Sequence, residues 1–510
     1  MLKDEWKQLK SGTDIRGVAM EGVEGQPVQL TDEVVERIIA SFAAWLSDKT
    51  GKPCRDLTVS IGRDSRLSGP RILRAATAAL SVSGIRVLDC GLASTPAMFM
   101  TTVDLGCNAA VQITASHHPW HRNGLKFFLP AGGLEGSDIG EILAGAQDGR
   151  RPSGYGAGSP GRVENSDYMR QYAARLRDLI VDGVGDGSQP LKGFHIVVDA
   201  GNGAGGFYAG EVLEPLGADI SGSQFLDPDG RFPHHIPNPE NEEAMASVSA
   251  AVVRAKADLG VIFDTDVDRA GCVDAEGREI NRNRLVALAA AIALEDHPGG
   301  TIVTDSITST GLKTFIEQEL GGRHWRFKRG YKNVINEAIR LGNEGVNAPL
   351  AIETSGHAAL IDNYFLDDGA YLVTRILIKA ARLRREGKTL ESLIAALKEP
   401  AESVELRFSI IEPDFRACGE RILTALEEYA KKNGWELADD SREGVRVSFG
   451  PGQGNGWFLL RLSVHDPVMP LNIESDETGG CRIIAARLTA FLKGQTGLDL
   501  AAADAYLGGG

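Results

Sequence analysis

The feature that most constrains this chain is an alternation of strand-like and helix-like segments that recurs three times and stops near residue 400. In the first stretch, residues 32–46 carry helical apolar spacing after a cap candidate at Thr31, while residues 57–61, 85–88 and 109–114 read as strands. A Gly-, Ser- and Pro-rich run at 153–161 reads as a linker. The pattern resumes with a strand at 194–199, a helix at 244–256 and a strand at 259–263; a third round begins after Gly277, with strands at 301–304 and 348–352. Beyond residue 400 the order changes to strands at 404–408, 445–449 and 457–463 around a helix at 415–432. Such alternation predicts mixed or parallel sheets covered by helices, with reactive groups on loops beyond the strand ends. The expectation is an α/β protein of three similar mixed domains, 1–160, 161–276 and 277–399, followed by a smaller α+β domain, 400–510.

Charge narrows the partners. Across 510 residues, 69 acidic against 54 basic side chains give a net charge of −15, which argues against nucleic acid or an anionic membrane as the main partner. An anionic substrate must therefore be held by local Arg, Lys and metal. The six cysteines (Cys54, Cys90, Cys107, Cys272, Cys418, Cys481) show no zinc-type spacing and read as reduced thiols. Residues 1–10 are charged, and the longest smooth apolar run, 285–294, is far shorter than the ~20 residues of a membrane helix. A cytoplasmic protein is expected, monomer or homodimer.

Four strand-end loops carry chemistry. Gln112-Ile113-Thr114-Ala115-Ser116-His117-His118-Pro119 surrounds a serine with small residues, two histidines and a proline, a set with little to offer a core and much to offer a reacting phosphate. Asp264-Thr265-Asp266-Val267-Asp268-Arg269 places three alternate carboxylates after an apolar strand. Two unit charges ~4 Å apart repel by about 4 kcal/mol at an effective dielectric near 20, so a curled loop needs a cation, and all-oxygen ligands favour Mg²⁺ over Zn²⁺. A solvated acidic turn would read the same. Ile352-Glu353-Thr354-Ser355-Gly356-His357 offers an acceptor, a hydroxyl and a switchable donor suited to sugar hydroxyls, or an ordinary polar turn. Arg461-Leu462-Ser463-Val464-His465-Asp466-Pro467 presents Arg, Ser and His at alternate positions, a phosphate grip or a surface strand.

Together the four stretches, in this order over nearly the whole chain, resemble the α-D-phosphohexomutase family: TASHHP its phosphoserine loop, DTDVDR its metal loop, ETSGH its sugar-selecting loop and RLSVHDP its phosphate loop. Ser11-Gly12-Thr13-Asp14-Ile15-Arg16-Gly17, Gly62-Arg63-Asp64-Ser65-Arg66 and Asn123-Gly124-Leu125-Lys126 match as well. The resemblance implies four domains around a central cleft. It also implies that Ser116 is phosphorylated, that Asp264, Asp266, Asp268 and a phosphoserine oxygen hold Mg²⁺, and that Lys126 is general acid or base with His117 beside it. Glu353 and Ser355 would bind sugar hydroxyls and His357 would sit near the reacting end. Arg461 and Ser463 would grip the idle phosphate, Arg16 and Arg269 would add positive charge, and Lys332 matches a Gly-x-Lys turn.

There are departures. His118 stands where the family has Asn, Thr265 and Val267 replace glycines, and Val464-His465-Asp466 replaces Asn-Thr-x. The last change deletes a hydroxyl donor and puts an acid beside a dianion; a protonated His465 would substitute, making activity depend on pH near neutrality. The Gly201-Asn202-Gly203-Ala204-Gly205-Gly206 run, with Asp219 downstream, also fits a dinucleotide fingerprint. Nothing nearby suggests a hydride acceptor, and a structural turn is the better reading.

The activity implied is transfer of a phosphoryl group between C1 and C6 of a glucose or mannose phosphate, with a hexose 1,6-bisphosphate as intermediate and activator. Alternatives are a hexose 1,6-bisphosphate synthase, a phosphoglucosamine mutase, or a non-catalytic sugar-phosphate-binding regulator.

Overall fold

A computed structural model describes residues 2–463 and 466–508. Val464 and His465, and with them the expected His465 donor, lie outside the described residues. The chain divides into two compact units, 1–285 with 355–392, and 286–354 with 393–510.

In the first unit one sheet runs Lys10–Ser11, Asp14–Val18, Arg122–Leu129, Ala109–Ile113, Thr58–Arg63, Arg86–Leu92, Val163–Asn165. Ala109–Ile113, Thr58–Arg63 and Arg86–Leu92 are parallel, and Arg122–Leu129 returns antiparallel beside Ala109–Ile113. That return sets Gln112 opposite Lys126. The Ser116 loop thus leaves one strand and Lys126 stands on its neighbour.

The helix Asp32–Thr50 shows why the sheet is covered. Its start is fixed by Thr31, whose Oγ1 accepts from Val34 N, and its end by Gly51 at φ 66°. Its apolar face, Val35, Ile38, Ile39 and Phe42, is fully buried, with Phe42 packed 4.6 Å from Phe127 between ring centroids. Removing the Phe42 ring would cost about 3–5 kcal/mol.

A second, four-stranded sheet of this unit runs Glu279–Ile280, Ala270–Asp274, Leu259–Phe263, Ile196–Asp199. Leu259–Phe263 lies parallel to Ile196–Asp199 and antiparallel to Ala270–Asp274, so the Asp264–Arg269 loop is a tight turn between antiparallel strands. The hairpin Ala358–Leu360 with Leu366–Asp367 and the helix Gly369–Arg385 complete the unit.

The second unit holds parallel strands Arg323–Arg326, Thr301–Thr304 and Leu350–Ile352. Its antiparallel sheet is ordered Glu402–Ser409, Val468–Ser475, Gly456–Leu460, Val445–Phe449, Glu436–Leu437 and is packed by Phe415–Lys432 and Gly480–Leu492. The strand expected over 457–463 stops at Leu460. Opposite Arg461 stands Pro470, which accepts from Arg461 N (3.1 Å) but has no N–H to return. Ser463 N still bonds Val468 O (3.0 Å), so Arg461 and Ser463 keep their alternation without a full ladder.

Candidate active site

Ser116 is buried and sits at φ 50°, in the left-handed region that side chains other than glycine seldom adopt. Its Oγ donates to Asp264 Oδ2 (3.0 Å) and accepts from Arg269 Nη2 (3.1 Å), with His117 Nδ1 at 3.3 Å. Two loops far apart in sequence therefore meet at one hydroxyl. Arg269 Nη2 also donates to His117 Nδ1 (2.7 Å), which fixes that nitrogen as an acceptor. Burial and then the Arg269 charge push the His117 imidazole down to about 2, so it is neutral.

The three aspartates converge. Asp264, Asp266 and Asp268 are buried, and one oxygen from each lies within 4.8 Å of the others. Lys126 Nζ bridges two of them, 3.1 Å from Asp266 Oδ2 and 2.5 Å from Asp268 Oδ2. Thr95 holds Asp266 from the first sheet's side, through its Oγ1 to Oδ2 (2.5 Å) and its N to the carbonyl (2.8 Å). Burial, with repulsion from Asp268 and Asp266, pushes the Asp264 carboxyl well above its ordinary value. For Asp268 burial acts the same way, but Lys126, His357 and Arg269 outweigh it and hold that carboxyl below its ordinary value.

Asp266 Oδ1 and Asp268 Oδ1 are buried with no hydrogen-bond partner. A buried acceptor of this kind is costly unless something binds it. Three converging carboxylates with two orphaned oxygens fit a hard divalent cation. Val267, where the resemblance expects glycine, sits at φ 68° and is fully buried. A left-handed β-branched residue costs roughly 1–2 kcal/mol, strain that the surrounding packing offsets.

His357 closes the group. Its Nδ1 is 2.5 Å from Asp367 Oδ2 and 3.9 Å from Asp268 Oδ1. Burial alone would lower its pKa, but Asp367 and Asp268 outweigh burial and raise it to about 9, so the ring is an imidazolium at neutral pH. Arg16 pairs with Asp14 (2.7 Å) and its charge reaches His117 and His118. Ser355, next along the chain from Thr354, is buried in this first unit. The structure thus brings Ser116, His117, Lys126, Asp264, Asp266, Asp268, Arg269 and His357 together, with Arg16 within electrostatic reach.

In the second unit Glu353 is buried and its Oε1 accepts from Gly330 N (2.6 Å), at the turn that precedes Lys332 in the helix Tyr331–Asn343. Thr354 Oγ1 donates to Asp305 (2.8 Å), whose carboxyl burial and then the Glu353 charge push up to about 7. Arg461 is buried, and its charge feels Glu443, Arg329, Glu405 and Asp305. Its Nε has no hydrogen-bond partner. Ser463 Oγ accepts from Asp466 N at 3.3 Å. Arg329, Asp305, Glu353 and Arg461 therefore share one electrostatic neighbourhood in this unit, with Asp305 feeling Glu353 and Arg329, and Arg461 feeling Arg329 and Asp305.

Sequence reading assigned no role to Thr95, Thr114, Asp64, Arg66 or Asp367. Thr114, Asp64 and Arg66 stood inside quoted motifs, but the bonds that join Arg66 to the serine loop, Asp64 to Thr114 and Thr95 to Asp266 span fifty residues or more, and Asp367 meets His357 across a hairpin ten residues away. The glycine-rich run is a packing turn. A Cβ on Gly203 would meet Thr265 O at 2.6 Å, and one on Gly206 would meet Leu226 O at 2.2 Å. These glycines let a neighbouring backbone close on the aspartate loop, and no regular α-helix opens there to receive a pyrophosphate. All six cysteines are buried and free.

Comparison with known proteins matches residues 7–149, 170–277 and 281–400 to the alpha/beta/alpha domains I, II and III of phosphoglucomutase/phosphomannomutase. Phosphoglucomutase of Neisseria gonorrhoeae is 30% identical over 483 residues, covering 94% of this chain and 95% of that protein. Phosphomannomutase/phosphoglucomutase of Pseudomonas putida is 32% identical over 420 residues, covering 82% and 83%. The crystal structure of a phosphoglucomutase/phosphomannomutase family protein from Burkholderia thailandensis superposes with a TM-score of 0.78 at 28% identity, covering 97% of this chain and 98% of that one.

Proposed function

This chain belongs to the α-D-phosphohexomutase family and is a hexose phosphate mutase, and we propose that it moves a phosphoryl group between C1 and C6 of glucose or mannose phosphates by way of phosphorylated Ser116. The observation that carries the reading is the buried Ser116 Oγ in contact with both Asp264 and Arg269, beside two carboxylate oxygens without partners. Asp264, Asp266 and Asp268 would hold Mg²⁺, with a Ser116 phosphoryl oxygen completing the set. When bound, the ion supplies neutralisation of the charge on the phosphoryl group in transit.

The chain's own groups do the rest. A sugar hydroxyl attacks the phosphorus in line; the new O–P bond forms as the bond to Ser116 Oγ breaks. Lys126 Nζ relays the proton, giving one to the Ser116 oxygen as its bond to phosphorus breaks and taking the one the sugar hydroxyl loses, and Arg269 stays on the serine oxygen while charge builds on it. The imidazolium of His357 holds a proton for the sugar oxygen at the reacting end, while neutral His117 accepts from Arg269 and keeps that guanidinium aimed. Arg16 adds positive charge. Glu353 and Ser355 select sugar hydroxyls, Lys332 faces the sugar phosphate from its turn, and Arg461 with Ser463 grips the phosphate that is not reacting. The resulting 1,6-bisphosphate returns its other phosphoryl group to Ser116, and added bisphosphate would act as activator by charging a bare serine. The division of labour follows 1–160 for the serine loop, 161–276 for the metal loop, 277–399 for the sugar loop and 400–510 for the phosphate loop.

The test is ³¹P NMR of the protein with Mg²⁺ and glucose or mannose 1- or 6-phosphate, with and without added 1,6-bisphosphate. Interconversion of the 1- and 6-phosphates is expected. Accumulation of bisphosphate without isomerisation, or no reaction at all, would reject the mutase.

A further inference from the structure

We propose that Arg66 is a positioning residue for the reaction, acting through the backbone of the serine loop. Its side chain is fully buried. A guanidinium has five N–H donors in one plane. Here Nη1 donates to Pro119 O (2.9 Å) and Arg122 O (3.0 Å), and Nη2 donates to His118 O (2.6 Å) and to Ser116 O. The remaining donor, Nε, faces Asp64 Oδ2 at 3.3 Å. Three of the four terminal bonds therefore go to carbonyls of the loop that carries Ser116, and the fourth to Arg122, where that loop enters the next strand.

Asp64 and Thr114 extend the frame. Asp64 Oδ1 accepts from Arg66 N (2.9 Å) and its Oδ2 accepts from Thr114 Oγ1 (2.7 Å), while Thr114 Oγ1 accepts from Ser116 N (2.9 Å). Both the amide and the carbonyl of Ser116 are thus held by groups that converge on Asp64 and Arg66. The outer side is sealed by the 229–232 turn. Phe232 lies 5.3 Å from the Arg66 guanidinium, and a Cβ on Gly230 would meet Arg66 Cα at 2.6 Å.

The physical consequence concerns the φ of 50° at Ser116. That conformation is disfavoured for a serine in an unrestrained loop, yet it is what turns Oγ onto Asp264 and Arg269. Apart from Arg66 and Thr114, the backbone from 115 to 119 is tied by the short-range bonds His118 N to Ala115 O and Arg122 N to Pro119 O, while the longer-range backbone bonds lie at its ends, at Thr114 N and His121 O; without Arg66 the Ser116 backbone would relax toward the extended or right-handed regions. Four charge-assisted bonds from one rigid plane remove that option. Lysine cannot replace it: three donors on a point charge cannot reach four carbonyls in a fixed fork.

The inference rests on Ser116 being the phosphoryl carrier, so the experiment separates the two. Arg66→Lys and Thr114→Val are each assayed for steady-state kinetics, for rephosphorylation of bare Ser116 by a hexose 1,6-bisphosphate followed by intact mass, and for hydrogen exchange over 114–122. A misplacement of about 1 Å costs on the order of 100-fold, so Arg66→Lys is expected to lower kcat and the rephosphorylation rate by about that factor while KM stays within ~3-fold. Exchange in 114–122 should quicken at least ~10-fold while the rest of the first sheet is unchanged. Thr114→Val removes one link and should follow with a smaller loss, of about 10-fold. It carries the test alone if Arg66→Lys does not fold. Unchanged loop exchange with kcat within ~2-fold of native would overturn the inference, as would a loss appearing in KM alone. Turnover by Ser116→Ala would instead overturn the carrier reading, while the exchange data would still decide whether Arg66 positions the loop.

Discussion

The serine loop and the phosphate loop are built on opposite plans. Around Ser116 the hydroxyl and the basic groups already have protein partners, with Asp266 Oδ1 and Asp268 Oδ1 left open to a cation: Oγ lies between Asp264 and Arg269, the loop carbonyls are taken by Arg66, and Lys126 is set between two aspartates. At 461–463 the cation is buried but incomplete, because Arg461 Nε has no partner and burial lowers its pKa against the pull of Glu443. The first region pays for a strained backbone to fix atoms before substrate arrives. The second leaves a donor for an anion to satisfy. Preorganised groups should govern kcat, and the waiting cation should govern KM.

The largest break of that contrast is Ser116→Ala. It removes the carrier oxygen and should lower turnover by on the order of 10⁴-fold or more, measured as glucose 1-phosphate to 6-phosphate conversion. Near-native activity would end the serine reading altogether.

Next in size is Lys126→Met. Losing the proton-moving ammonium should cost about 10²–10⁴-fold in kcat with little change in KM. The variant should also bind Mg²⁺ no more weakly than native by titration calorimetry, since a competing cation has left Asp266 and Asp268. Weaker Mg²⁺ binding would show that Lys126 supports the metal loop instead of the proton.

Arg461→Ala tests the other half. A hydrogen bond to a charged group contributes ~1.5–3 kcal/mol, so KM for a hexose phosphate should rise ~10- to 150-fold with kcat nearly unchanged. A fall in kcat with an unchanged KM would mean that the two loops do not divide the work this way.

What the sequence made legible follows the same line. Strands bounded by polar turns were readable because their apolar runs are local: Leu259–Phe263 and Val445–Phe449 fall on their expected residues. The end of the strand at Leu460 was not, since it depends on Pro470 facing Arg461 from another strand. The reacting residues were readable because each sits in a short motif. Their supports were not, because Arg66 serves a loop about fifty residues away, and Asp367 matters only once the hairpin sets it on His357. Val267 was noticed as a departure from glycine, but only the backbone reveals that it kept glycine's conformation.

The smallest expected effect lies in stability and distinguishes the second unit's core from its phosphate loop. Glu474 is buried, accepts from Trp457 Nε1 at 3.1 Å, and is raised from 4.5 to about 7, chiefly by burial and against the pull of Arg446. A carboxyl whose folded pKa is raised binds its proton more tightly in the folded state. Its contribution is therefore fully present below pH 4.5 and is lost as pH rises through about 7. Glu474→Gln keeps the acceptor for Trp457 and removes the titration. Between pH 5 and 8 the variant's melting temperature should fall less steeply than the native protein's, and near pH 8 it should equal or exceed the native value by ~2–4 °C. Hexose phosphate KM should not move, because the residue serves the sheet and not the grip. A parallel pH profile for the two proteins would mean that Glu474 is ionised across the range and that Arg446, not burial, sets its state.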